Sequence, residues 1–163
     1  MKKLYLIRHS KSSWKDLSLS DFERPLNKRG KNDAPLMGKL LSKKRIKPDY
    51  ILSSPAGRAK RTAKIIAKEV GFTKKINYNH DIYEASVDKL FEIIRSLDDD
   101  FDDVFLFGHN PSFSMFAEAL TGDYVENIPT SGIYHINFNI NKWKNIDIKT
   151  GKTKNFWYPK LFK

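Results

Sequence analysis

Arg8 and His9 stand side by side at the end of a short apolar run, Leu4-Tyr5-Leu6-Ile7. A fixed guanidinium beside an imidazole suits attack on a phosphate, or its capture. The imidazole supplies a nucleophilic nitrogen, and the planar arginine fork grips two oxygens while staying charged. Two later positions repeat the theme. Ser53-Ser54-Pro55 follows Tyr50-Ile51-Leu52, with Arg58 three residues beyond Pro55, and Gly108-His109-Asn110-Pro111 follows Val104-Phe105-Leu106-Phe107. A phosphoryl group spreads its charge over several oxygens, so its transfer needs positive donors and in-line positioning more than elaborate covalent chemistry. His9 is then the candidate nucleophile, with Arg8, Arg58 and His109 holding the oxygens. Each piece alone has an ordinary explanation: a structural histidine, a surface ion-pair partner, a turn that Asn110 caps. Three such strand ends in one chain are what point to chemistry.

The elements that must position these groups follow from the apolar pattern. Runs as short and continuous as Leu4–Ile7 and Val104–Phe107 read as strands buried on both faces, typical of a parallel sheet. In open α/β sheets the ligand crevice lies at the carboxyl ends of the strands. A long polar loop, Ser10 to Leu26, follows the first strand. Asn27 can cap a helix start, but Pro35 predicts a break, with a turn from Asn27 and the main helix from near Asp33. A second helix is expected from Ala56 to about Val70 with Pro55 at its first position, and a third behind the cap Ser86 over Val87–Leu97. A fourth is expected from Ser112 to Leu120, stopping near Gly122. Ile76–Tyr78 predicts a short strand, Gly132–Ile140 a strand with one more polar face, and Trp143–Ile148 with Asn155–Tyr158 a terminal strand and tail. The acidic run Asp98–Asp103 reads as a solvated loop. This alternation gives an α/β fold, expected as one three-layer α/β/α domain over residues 1–163 with a mostly parallel sheet.

With the motifs in place, the chain resembles the histidine phosphatase superfamily, phosphoglycerate mutase-like in fold, and within it the SixA-like phosphohistidine phosphatase branch. The resemblance rests on Leu6-Ile7-Arg8-His9-Ser10-Lys11-Ser12-Ser13-Trp14, Arg24-Pro25-Leu26-Asn27-Lys28-Arg29-Gly30, Leu52 to Ala63, and Gly108-His109-Asn110-Pro111, in order over residues 1 to about 122. It implies that His9 becomes a phosphohistidine which water then hydrolyses, that Arg8, Arg58 and His109 form the phosphate pocket, and that neither metal nor organic cofactor takes part. Two positions depart from the pattern. Ser10 stands where Gly or Ala is usual, and Arg61 where Gln is common. Many members carry a proton-donating acid after the third strand, where Ile82-Tyr83-Glu84 falls here. Glu84 would serve an alkoxide leaving group, whereas an imidazole leaving group needs it less. Lys11 and Trp14 can touch substrate from the loop; His80 and His135 are read as structural or solvated. From about Val125 onward no sharp motif is seen.

Composition sets the outer limits. There is no cysteine, which excludes disulfides and thiolate chemistry. Residues 1–75 carry 21 basic and 6 acidic side chains, residues 76–140 carry 2 and 12. The basic half suits anionic partners, and a non-catalytic anion or nucleic-acid binder is the rival reading. Its basic residues are not interleaved with aromatic stacking platforms. The expected partner is therefore a phosphorylated protein or a small phosphorylated molecule, with no stable nucleic-acid binding. A mutase is disfavoured by the short chain. No apolar run approaches a membrane span or a signal region, which predicts a cytoplasmic protein.

Overall fold

A computed structural model describes residues 1–163. Six strands, β1 (Lys2–Arg8), β2 (Tyr50–Ser53), β3 (Asn77–Tyr78), β4 (Asp103–Gly108), β5 (Ile133–Phe138) and β6 (Gly151–Trp157), form one sheet in the order β3-β2-β4-β1-β5-β6. The first four in that order pair in parallel, while β5 and β6 are antiparallel to their neighbours. Because side chains alternate along a strand, β1 sends Leu4 and Leu6 into one core and Tyr5 and Ile7 into the other. The first core is closed by α3 (Val87–Arg95) and α4 (Ser112–Thr121), through Leu90, Phe91, Phe113 and Phe116. The second is closed by α1 (Lys28–Lys43) and α2 (Gly57–Glu69), through Met37, Leu41, Ala63 and Ile66. The result is a three-layer α/β/α arrangement.

Three expectations change. Helix α1 runs unbroken from Lys28 through Pro35, capped by Asn27, whose side chain accepts the Gly30 N–H at 2.9 Å. Proline removes one helical hydrogen bond, costing about 3 kcal/mol in an isolated helix. Here the orphaned carbonyl belongs to exposed Lys31 and can be hydrated, while a buried stripe of Ala34, Met37, Gly38 and Leu41 holds both halves on the sheet. Pro55 lies before the N-cap Ala56 rather than inside α2, because Ser54 still bonds in the extended direction, its N–H donating to the Phe107 carbonyl at 3.0 Å. The more polar face of β5, with His135 and Asn137, does not meet open water: His135 is buried between Tyr5 and Trp157.

The third change concerns the chain around Trp143 and the acidic run. Trp143–Asn145 is a turn of 3-10 helix, and only Gly151–Trp157 forms the last strand. Trp143 is fully buried, and its indole N–H donates to the Phe101 carbonyl at 2.8 Å. That anchor uses the acidic run. Asp99 accepts the Trp143 N–H at 2.8 Å, and Asp102 pairs with the buried Lys2 ammonium at 2.8 Å.

Candidate active site

Pairing order brings the three strand ends to one rim. Strand β4 lies between β1 and β2, with Arg8 opposite Gly108 and Ser53 opposite Phe107. The chain stays extended one residue further on β1, where the His9 N–H donates to the Gly108 carbonyl at 3.1 Å. Gly108 must be glycine: a Cβ there would meet the Phe113 ring of α4 at 2.5 Å. The His9 and His109 rings consequently lie 5.3 Å apart between centroids.

Hydrogen bonds fix what each ring can do. The His9 Nδ1 lies 2.8 Å from the Ser10 carbonyl, which can only accept, so Nδ1 carries the proton. Nε2 then holds the free lone pair. Ser54 sets the other ring: its oxygen accepts the Ala56 N–H at 3.2 Å, and its fully buried O–H, with no other acceptor in reach, donates to His109 Nε2 at 2.7 Å. His109 Nδ1 is thereby the protonated nitrogen, and it is buried with no partner. Arg8 offers the same kind of orphan. Its Nη1 donates to the Ile128 carbonyl at 2.9 Å, while its Nε is buried and unpaired. Burial holds the His9 imidazole down at about 3, with the charges of His109, Arg58 and Arg8 adding to it against the Ser10 bond. Burial, then Arg58, brings His109 to about 4. Both rings are neutral at neutral pH, the state in which one can attack and the other donate.

The rest of the frame comes from segments the sequence reading passed over. Ser10 is fully buried; its N–H donates to Thr62 Oγ1 at 2.9 Å, and its hydroxyl bonds that of Ser131. A serine is thus accommodated by a partner hydroxyl from beyond Val125. Ser131, in a left-handed conformation (φ 64°), donates its N–H to the Arg8 and His9 carbonyls, and Arg8 N–H returns to the Gly132 carbonyl at 3.0 Å. The run Pro129-Thr130-Ser131-Gly132 carried a turn signal, but nothing local tied it to Arg8.

Asp21 was also missed. It arrives on the long loop, on a 3-10 turn (Asp21–Glu23). Its backbone carbonyl accepts from Arg58 Nη1 at 2.7 Å, and its Oδ2 accepts from Arg58 Nη2 at 3.1 Å and from the Tyr83 hydroxyl at 2.6 Å. Its Oδ1 takes Arg24 Nη1 at 2.8 Å, and the Arg24 guanidinium is itself stacked 3.3 Å from the Trp14 ring centroid. Gly30 permits this loop to lie down, since a Cβ would sit 2.2 Å from the Lys11 carbonyl oxygen.

A cavity of about 630 Å³ opens beside the strand ends, with Arg58, His109, Asp21, Tyr83 and Glu84 among its lining; Arg8 and His9 are not part of that lining, and His9 adjoins it through His109. Glu84 has an exposed side chain without hydrogen bonds, on a backbone held at φ 58°. Lys11, Trp14 and Arg61 are exposed and do not line the cavity. His80, just past β3, stacks on Phe22 and lies edge-on to Tyr83 without lining the cavity, and His135 stacks on Tyr5 within the sheet. Arg8, His9, Arg58 and His109 are therefore brought together, Glu84 reaches the neighbouring cavity, and neither His80 nor His135 lines it.

Comparison with known proteins points the same way. An uncharacterised chloroplastic protein of Arabidopsis thaliana is 34% identical over 74% of this chain, which spans 60% of that protein's length. Among solved structures, a protein assigned as the phosphohistidine phosphatase SixA of Agrobacterium tumefaciens superposes with a TM-score of 0.84 at 27% identity, covering 97% of this chain and 98% of its own. The protein histidine phosphatase SixA bound to tungstate shares the fold at a TM-score of 0.86 and 18% identity, over 99% of both chains. The family model described as histidine phosphatase superfamily (branch 1) matches residues 4–103. With its sheet ending in an arginine–histidine pair across from a second histidine, this chain belongs to the histidine phosphatase superfamily.

Proposed function

We propose that the protein is a phosphatase that works through a phosphohistidine on His9, acting on the phosphohistidine of a signalling or phosphotransfer protein. The observation that carries this reading is a neutral His9, with its Nε2 lone pair free, among donors that lack partners: Arg8 Nε and His109 Nδ1 are both buried and unsatisfied. Unpaired buried donors cost about 1–3 kcal/mol each, and phosphoryl oxygens would relieve both. In the first step the Nε2 pair forms a bond to phosphorus while the bond to the leaving atom breaks and its electrons go to that atom. Charge building on the equatorial oxygens falls to Arg8, Arg58 and His109. In the second step water attacks phosphorus, the P–Nε2 bond breaks, and the water proton passes to solvent or to a rim carboxylate. His9 leaves as the neutral ring it began as.

A specific observation supports a second reading, hydrolysis of a small phosphate ester: Glu84 lines the cavity beside Arg58 and His109, where a carboxylic acid could protonate an alkoxide. Phosphoenzyme trapping tests the shared chemistry. Protein mixed with a phosphate donor and quenched should carry an acid-labile, base-stable phosphate that His9→Ala abolishes. Full labelling of His9→Ala would remove His9 as nucleophile. A substrate panel on wild type and Glu84→Gln separates the two readings, since equal ester hydrolysis by both would take Glu84 out of the mechanism.

A further inference from the structure

We propose that Asp21 is a specificity-determining residue: its carboxylate accepts a hydrogen bond from the leaving nitrogen group of the substrate and favours P–N over P–O bonds. This rests on the reading of His9 as nucleophile and extends it to a residue on a different loop. Three observations carry it. The first is position. Asp21 lines the cavity beside Arg58 and His109, and Tyr83, which donates to it, packs its ring 5.5 Å from that of His109. A group leaving the phosphoryl pocket into this cavity meets Asp21.

The second is valence. A carboxylate has about four lone-pair sites, and Arg24, Arg58 and Tyr83 fill three of them. The side chain remains 46% exposed, so one acceptor site is left for a ligand donor. Glu84 and Asp88, the other carboxylates of the cavity, have no such anchoring.

The third is charge. Donors on both oxygens, the Tyr83 hydroxyl first, push the Asp21 carboxyl down to about 2. At neutral pH it is an acceptor and not an acid, so it offers nothing to a departing alkoxide. A phosphoimidazole protonated on its second ring nitrogen is complementary. Its N–H donates to the carboxylate as His9 Nε2 bonds to phosphorus, the P–N bond breaks, and its electron pair stays on the departing nitrogen. The imidazolium charge is thereby cancelled, the original N–H is kept, and neutral imidazole leaves without any proton transfer. Phosphorylated lysine or arginine side chains present the same pattern of N–H donors.

A simpler role is that Asp21 only orients Arg58. The two roles separate because Arg58 acts on the phosphoryl group, which P–N and P–O substrates share. The experiment measures kcat/KM of wild type, Asp21→Asn and Asp21→Glu on an N-phosphohistidine peptide and on p-nitrophenyl phosphate, whose leaving group needs no acid. For Asp21→Asn the ratio of peptide to ester activity is expected to fall at least fivefold. Asp21→Glu, which keeps the charge, should recover part of it. A ratio changed less than fivefold, whether both activities drop together or neither does, overturns the assignment. His9→Ala run alongside keeps the two ideas apart: hydrolysis surviving in that variant overturns the nucleophile and leaves the Asp21 ratio to be judged on its own figures.

Discussion

At the scale of single residues, the site depends on which ring nitrogen carries the proton. Ser54 settles this for His109 by accepting from Ala56 and donating to Nε2. Ser54→Ala removes that donor and frees the ring to take the other tautomer, which turns Nδ1 from donor to acceptor. Loss of one such hydrogen bond is worth about 1 kcal/mol, so kcat should fall by roughly 5-fold with the fold intact. Steady-state kinetics with circular dichroism checks it; an unchanged kcat would mean that His109 does not donate through Nδ1. Arg58 and His109 could be picked out from sequence because each follows a strand-ending signal. Asp21 could not, because a lone aspartate in a polar loop looks like any solvated one until Arg58 is known to face it.

At the scale of elements, helix α1 shows tertiary packing overruling a local rule. Pro35 survives inside the helix because the apolar stripe is anchored before and after it. Its cost to helix propensity should still be present. Pro35→Ala is expected to stabilise the protein by about 1 kcal/mol, the regained backbone bond being offset in part by a more flexible unfolded chain. Urea unfolding measures this, and a destabilised variant would show that Pro35 packs a contact the helix needs. The burial of the more polar face of β5 has a similar cause. Alternation carries no record of which side chains cover a face: Tyr134, Ile136 and Phe138 join the α3/α4 core, while on the other face His135 lies against Tyr5 and Trp157.

At the scale of the whole molecule, buried neutral histidines link stability to pH. His135 is 6% exposed, stacked on Tyr5, and burial lowers it from 6.5 to about 4. Between those values the unfolded chain binds a proton that the folded protein refuses. The contribution is therefore complete above pH 6.5 and is lost progressively as pH falls towards 4. His109 acts in the same window, and His9 extends it to about pH 3. For His135 alone the loss at pH 5 is roughly 2 kcal/mol. Thermal melts should show Tm falling from pH 7 to pH 5, with a shallower fall in His135→Gln. Parallel slopes for the two proteins would mean that His135 is protonated in the folded state.

The sequence by itself determined the local pieces: apolar runs that end in Arg8-His9, Ser53-Ser54 and Gly108-His109, the helices between them, and the residue types that can handle a phosphoryl group. These are legible because strand burial and helix periodicity are written in neighbouring residues. Only the tertiary structure decided that β4 inserts between β1 and β2, that the Ile128 carbonyl and Ser131 brace Arg8 and His9, and that Asp21 occupies the fork of Arg58. Those contacts join residues from 37 positions apart (Asp21 and Arg58) to 123 (Arg8 and Ser131). Hydrogen bonds at such separations depend on how the layers close, and no local pattern in the chain records that.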